Sequence, residues 1–146
     1  MFSCLFWLKL KIMKHQERVR VTSEASEIIE KLKSQTGGQL MFHQSGGCCD
    51  GSAPMCFEKG DFMLSSSDVY LGDIEGCGFF MSAAQFEYWK HCELTIDVVK
   101  GRGSSFSLEI PLGVRFHTRS RIFTEEELEN LLPIMNGEEY LESQGV

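Results

Sequence analysis

The densest reactive chemistry in the chain lies between Met41 and Cys56, in the run Met-Phe-His-Gln-Ser-Gly-Gly-Cys-Cys-Asp-Gly-Ser-Ala-Pro-Met-Cys. This run holds three of the six cysteines and one of the four histidines. Thiolates and an imidazole are the donors that Zn²⁺ or an iron–sulfur centre takes, and His43, Cys48, Cys49 and Cys56 would make a four-ligand set. Cys48 and Cys56 are eight positions apart and Cys49 and Cys56 seven, so the Cys-x-x-Cys pitch of a zinc knuckle is missing. Gly46-Gly47 and Asp50-Gly51 are turn signals that place Cys48, Cys49 and Asp50 on a tight loop needing positive φ angles. Neighbouring side chains diverge on a strand, whereas a turn can bring them together. A disulfide between Cys48 and Cys49 is disfavoured, because adjacent Cα atoms sit about 3.8 Å apart, short of the roughly 4.4 Å minimum for that bond.

The same residues admit two other readings. In one, a Cys48 or Cys49 thiolate attacks an electrophile such as an aldehyde, with His43 as base. In the other the cysteines are structural, one of the adjacent pair buried and the other a free thiol, and His43 is a satisfied residue of its strand. Cys77 and Cys92 have no second ligand type beside them except His91, and are expected in the core.

A second constellation is Arg115-Phe-His-Thr-Arg-Ser-Arg121. In an extended chain Arg115, His117, Arg119 and Arg121 line one face, and Phe116, Thr118, Ser120 and Ile122 the other. Four basic groups on one face repel unless something anionic answers them. One reading is a cofactor-binding site for phosphate or carboxylate, which Arg forks grip bidentately. The other is internal neutralisation by Glu125–Glu129, Asp97 and Glu109, the more frequent fate of surface charge.

The elements that must position these groups follow from periodicity. Arg18-Val-Arg-Val-Thr22 alternates like a half-buried strand. Ala25, Ile28, Ile29 and Leu32 then recur at helical spacing, predicting a helix capped by Thr22 or Ser23 and stopped at Gly37-Gly38. Gln39-Leu-Met-Phe-His43 is the strand that delivers the chain to the cysteine loop, with Leu40 and Phe42 on one face and Met41 and His43 on the other. Residues 68–74 and 78–81 read as strands joined by the turn Glu75-Gly76. Ser82-Ala-Ala-Gln85 has the capping-box form and opens a short helix through His91, with Phe86, Tyr88 and Trp89 packing inward. Residues 93–99 and 105–110 are expected to pair as a hairpin around Gly101-Arg-Gly103. Thr124-Glu-Glu-Glu127 is a further capping box, starting a last helix through Leu132 that Pro133 closes. The predicted class is α+β: a compact β-rich domain with an N-terminal helix, a short mid-chain helix and a C-terminal acidic helix.

At 146 residues the chain is long enough for one domain that buries about two-thirds of its unfolded surface. That domain is expected over residues 14–132. Residues 1–13 read as an extension or a mis-set translation start, and 133–146 as an acidic flexible tail. The apolar stretch from Phe2 to Leu8 is seven residues long, with no basic residue before it and no cleavage site after it. It reads as neither a signal peptide nor a membrane span. Six cysteines without a secretory signal point to reduced thiols in a cytoplasm. All 14 Lys and Arg lie at or before Arg121, so the seven Glu beyond it carry the whole net charge of −7. A formally neutral body argues against a nucleic-acid partner.

The run from Leu40 to Cys56 resembles the uncharacterised bacterial family called domain of unknown function 779. So do Met81-Ser82, Gln85-Phe-Glu-Tyr-Trp-Lys-His91, Ile96-Asp-Val-Val99, Phe106-Ser-Leu-Glu109, Arg115-Phe116 and Thr118-Arg-Ser-Arg121. The resemblance implies a link to aldehyde dehydrogenases, beside which such proteins are found. The chain is not expected to be that enzyme, since it lacks the length for two domains and no Gly-x-Gly-x-x-Gly follows a predicted strand. A more distant similarity is to the A-type iron–sulfur carriers, the HesB/IscA-like group, in the order of elements across residues 19–32, 40–51, 82–89, Ile96-Asp97 and 101–106. It implies HesB-like mixed sheets or a sandwich, with Cys48 as a ligand. Those carriers end in a Cys-Gly-Cys pair, whereas no cysteine follows Cys92 here, so their cluster does not transfer directly.

The resulting expectation is a small cytoplasmic accessory protein, without membrane or nucleic-acid partners. It holds Zn²⁺ or an iron–sulfur centre in the 43–56 loop and assists an aldehyde dehydrogenase, with a homodimer as a candidate assembly. A thiol-dependent enzyme using Cys48 or Cys49, and an interaction module with structural cysteines, are the alternatives.

Overall fold

The computed structural model describes residues 15–44, 53–101 and 107–144. The expected extension at residues 1–13, the loop carrying Cys48 and Cys49, and residues 102–106 of the expected hairpin lie outside the described residues.

Strand β1 (Val19–Val21) runs into helix α1 (Ser23–Gln35) through Thr22, whose Oγ1 accepts the Ala25 N–H at 3.2 Å. That bond satisfies one of the orphan donors of the first turn. Ala25, Ile29 and Leu32 form the buried stripe of the helix. Strands β2 (Leu40–Gln44) and β3 (Pro54–Glu58) pair antiparallel, Phe42 opposite Cys56 and His43 opposite Met55. Strands β4 (Asp68–Ile74) and β5 (Cys77–Ser82) make a hairpin whose two turn residues, Glu75 and Gly76, have φ of +50° and +75°. Two successive positive φ angles match the twist of the flanking strands, which favours glycine in such a turn.

Ser82 caps helix α2 (Ala83–Trp89), its Oγ accepting the Gln85 N–H at 3.1 Å. Strand β6 (Cys92–Lys100), a 3-10 turn at Ile110–Leu112, strand β7 (Val114–Ile122) and helix α3 (Glu125–Glu129) follow. Strand β8 (Met135–Asn136) and helix α4 (Gly137–Ser143) complete the described chain. The strands form two mixed sheets, one in the order β1-β6-β7 and the other β3-β2-β5-β4-β8. In the first, β1 is parallel to β6; in the second, β2 is parallel to β5, and the remaining pairs are antiparallel. The main core gathers Leu94, Ile96 and Phe116 of the first sheet, Phe42, Cys56 and Phe79 of the second, and the buried stripe of α1. This is the α+β architecture that the periodicity predicted, with the mixed sheets that the HesB/IscA-like resemblance implied.

Four local expectations change. The partner of β6 is β7, in register from Cys92 opposite Ile122 to Lys100 opposite Val114. Residues 107–112 instead turn toward β3, where the Leu108 N–H donates to the Cys56 carbonyl at 3.1 Å. Pro111 in the 3-10 turn suits a break in the ladder better than a strand. Tyr88 is 84% exposed, because Phe86 and Trp89, three positions apart, take the inward face of a two-turn helix and Tyr88 falls outside it. Helix α3 stops at Glu129, short of Leu132. Finally, the segment after Pro133, in which the sequence suggested no element, adds β8 to the edge of β4 and folds into α4. Asn136 and Glu139 form a capping box there, and Tyr140 is buried against Phe80 and Tyr70.

Candidate functional site

His43 sits at the end of β2, on the face away from the main core, shared with Met41 across from Phe80. The sheet order β2-β5-β4 brings it to Asp68 at the start of β4. The two atoms His43 Nε2 and Asp68 Oδ1 lie 2.8 Å apart, and since a carboxylate oxygen accepts, Nε2 donates. Asp68 is fixed in turn: its Oδ2 accepts the Ser65 N–H at 3.0 Å and the Ser65 hydroxyl at 3.4 Å. The imidazole also lies against Phe62, with ring centroids 4.3 Å apart. The His43 side chain is 13% exposed and that of Asp68 10%, so the pair is mostly shielded from water. A ring held at Nε2 by a carboxylate and on one side by an aromatic face has one nitrogen left for other chemistry, Nδ1.

Cys56 is placed elsewhere. Because it stands opposite Phe42, it shares the face that Phe42 presents, and it lies fully buried in the main core. Its backbone N–H donates to Ser107 Oγ at 2.8 Å. The Ser107 hydroxyl donates to Glu109, whose Oε2 also accepts the Phe116 N–H at 3.1 Å. Burial pushes the Cys56 thiol above its ordinary pKa, and the nearby Glu109 and Cys77 push it further. A metal takes the thiolate, which this environment opposes. His43 and Cys56, the two described members of the expected ligand set, are therefore not brought together but lie on opposite faces of one sheet. Cys48 and Cys49 lie outside the described residues. Cys77 is buried and Cys92 packs against the core, where both were expected. Among the described residues no three His, Cys, Asp or Glu side chains are grouped to hold a metal ion.

The basic face of β7 is extended, and its cross-strand neighbours on β6 explain its charge. Glu93 stands opposite Arg121, Thr95 opposite Arg119 and Asp97 opposite His117. Arg119 pairs with Asp97. Arg121 grips Glu93 at 3.1 Å and 3.2 Å and Glu127 at 2.8 Å and 2.7 Å, a fork shared between two carboxylates. The Arg121 bonds hold the Glu127 carboxyl down to about 2, and Glu127 holds the guanidinium above its usual value. Arg20 adds a bond to Glu93 Oε2 at 2.8 Å. Two of the four basic groups are thus answered from within the fold, by Asp97, Glu93 and Glu127. Glu109, also expected among the neutralising acids, is instead committed to Ser107 and the backbone of β7. Arg115 and His117 form no ion pair among the described residues.

Residues 28–122 match the family described as a domain of unknown function (DUF779). The chain belongs to this family. No curated protein matches this DUF779 chain. Among solved structures it is similar to a crystal structure of IscA with the 2Fe–2S cluster, at 16% identity and a TM-score of 0.42, covering 69% of this chain and 83% of that one.

Asp68 and Ser65 were not visible as site residues in the sequence. Asp68 is 25 positions from His43 and meets it only through sheet order. The available signal was local: Ser65-Ser-Ser-Asp68 is a turn sequence whose side chains bond to nearby backbone.

Proposed function

We propose that this DUF779 protein holds a metal ion beyond the end of β2, with His43 as nitrogen ligand, Cys48 and Cys49 as thiolate ligands, and Asp68 orienting the imidazole. The observation that supports it is the 2.8 Å contact of His43 with a carboxylate that Ser65 itself anchors. A metal-ligating histidine typically donates its other ring N–H to such a group, which fixes the tautomer and makes the free nitrogen a better donor. Mixed nitrogen and sulfur donors suit Zn²⁺. An iron–sulfur cluster held by thiolates alone would need cysteines besides Cys48 and Cys49, and of the described ones Cys56 and Cys77 are buried in the core. Zn²⁺ is the ion this donor set fits. When bound, it would supply Lewis acidity, and with three protein ligands a fourth position would stay open.

The reading is of an accessory protein, with an aldehyde dehydrogenase as the partner that the family resemblance implies. Metal analysis of untagged protein tests the site. One zinc per chain is expected, lost in His43→Ala and in the double variant Cys48→Ser/Cys49→Ser, and retained in Cys56→Ala. Equal zinc in the wild type and the double variant overturns the assignment. Co-purification with an aldehyde dehydrogenase from the same cell tests the partner.

The same His43–Asp68 pair favours a second reading, in which His43 draws the proton from Cys48 or Cys49 and the thiolate attacks an aldehyde. Iodoacetamide titration of metal-free protein separates the two. A thiol that reacts at neutral pH faster than free cysteine, and is slowed by His43→Ala, supports the enzyme.

A further inference from the structure

The second face of the five-stranded sheet carries its own small apolar cluster, built on Met41, Phe80 and Tyr140. Beside it opens a cavity of about 550 Å³, within the roughly 300–1,000 Å³ typical of small-molecule sites. Met41, Phe80, Tyr140, Leu64 and Leu141 supply an apolar body, and Lys33 and Lys59 are its charged groups; among the described residues no Asp or Glu lines it. There is no space to spare behind Phe80, since a Cβ added at Gly78 would stand 2.8 Å from that ring and 3.3 Å from the Tyr140 hydroxyl. Lys33 is steadied by Glu30, 3.3 Å away, and by the Glu75 carbonyl. Lys59 forms no ion pair among the described residues, and its backbone N–H is tied to the Gln39 carbonyl at 2.9 Å. An apolar cavity with two ammonium groups and no acid selects by both size and sign.

We propose that this cavity binds a small amphipathic carboxylate, its hydrocarbon body against Met41, Phe80, Tyr140 and Leu141 and its charge at Lys59 and Lys33. Two ammonium groups, one already shared with Glu30, balance a single negative charge. Among the described residues, no Arg lines the cavity with a fork of the kind that grips phosphate oxygens bidentately. The inference does not rest on the metal site. Phe62 lines the cavity and also packs on the His43 ring, so occupancy has a spectroscopic reporter in the imidazole resonances of His43.

Isothermal titration of the full chain with decanoate, decanol and decyltrimethylammonium, below micelle-forming concentrations, tests it. Decanoate is expected to bind saturably at one site and shift the His43 resonances, with decanol weaker by about tenfold and the cation weaker still. Lys59→Gln, an exposed substitution that leaves the fold alone, should weaken decanoate by about tenfold and leave decanol unchanged. Leu141→Trp, which fills the cavity, should weaken both. Absence of saturable decanoate binding, equal affinity for decanoate and decanol, or an unchanged decanoate affinity in Lys59→Gln overturns the proposal.

Discussion

Thr22 and Asp97 are joined through one hydroxyl: Thr22 donates to Asp97 Oδ1 at 2.9 Å while its oxygen accepts the Ala25 N–H that starts α1. Asp97 Oδ1 also accepts the Val98 N–H at 2.8 Å, and Oδ2 accepts from Arg119. One carboxylate thus ties the start of a helix to two strands of the smaller sheet.

These bonds make Asp97 a source of pH-dependent stability. The Val98 N–H contributes most to holding its pKa below the ordinary carboxylate value, followed by the Thr22 hydroxyl, with Arg119 and His117 adding to the effect. A depressed folded pKa gives stability that is complete above the unfolded value of about 3.9 and is lost as pH falls through the folded value. The melting temperature should fall on acidification below about pH 5, and fall less steeply in Asp97→Asn. At neutral pH that variant should be less stable by about 1–3 kcal/mol, since it loses bonds to a charged group. Parallel melting curves against pH for the two proteins would count against this role.

What the sequence made legible was mostly local. The Thr22 cap, the Ala25, Ile29 and Leu32 stripe, the Glu75-Gly76 turn and the Thr124 capping box are each set by residues within a few positions of one another. The alternation of β7 also emerged correctly, because period two needs no knowledge of the partner strand. Long-range choices were not available in the same way. The pairing of β6 depended on where Ser107 and Glu109 find their partners, and those are on β3 and β7. The faces of His43 and Cys56 became comparable only with the register of β2 against β3, which sets the two residues one step apart and hence on opposite sides.

The core placement of Cys56 predicts an inert thiol. Iodoacetamide should modify the folded protein without reaching Cys56 or Cys77, whose thiols burial pushes upward in pKa. Cys56→Ser should cost about 1–3 kcal/mol, because it places a hydroxyl among Phe42, Phe79 and Phe116. Peptide mapping after alkylation checks the first expectation and chemical denaturation the second. Modification of Cys56 at the rate of an unfolded thiol would refute the placement.

Glycine spacing predicts a link between α4 and the His43 site. A Cβ at Gly137 would run into the Ser65 carbonyl oxygen and lie 3.0 Å from the Ser65 nitrogen, both of them backbone. Ser65 anchors Asp68, which holds His43. Gly137→Ala should therefore cost about 1–3 kcal/mol and shift the His43 imidazole resonances. Gly37→Ala is the control, since its Cβ meets nothing within 4 Å and its φ is not in the left-handed region. Equal stability of the two variants, with His43 unmoved in both, would break the proposed link.

The segment after Pro133 should prove necessary for full stability, despite its acidic composition. Tyr140 is 8% exposed and packs edge-on against Phe80 at 4.9 Å and beside Tyr70 at 4.6 Å. Glu138 and Glu139 lie in the first turn of α4, where negative charge is favoured by the helix dipole, and Glu139 closes the capping box with Asn136. The acids that read as opposing compaction thus help to start the helix, and Tyr140 anchors it in the apolar cluster with Met41 and Phe80. Tyr140→Ala should cost about 3 kcal/mol or more, in the range of large-to-small aromatic changes in a core. Truncation before Asn136 should do at least as much, and should also remove β8 from the edge of β4. Thermal denaturation of both variants checks this, and an unchanged melting temperature after truncation would show that α4 contributes nothing to the stability of the domain.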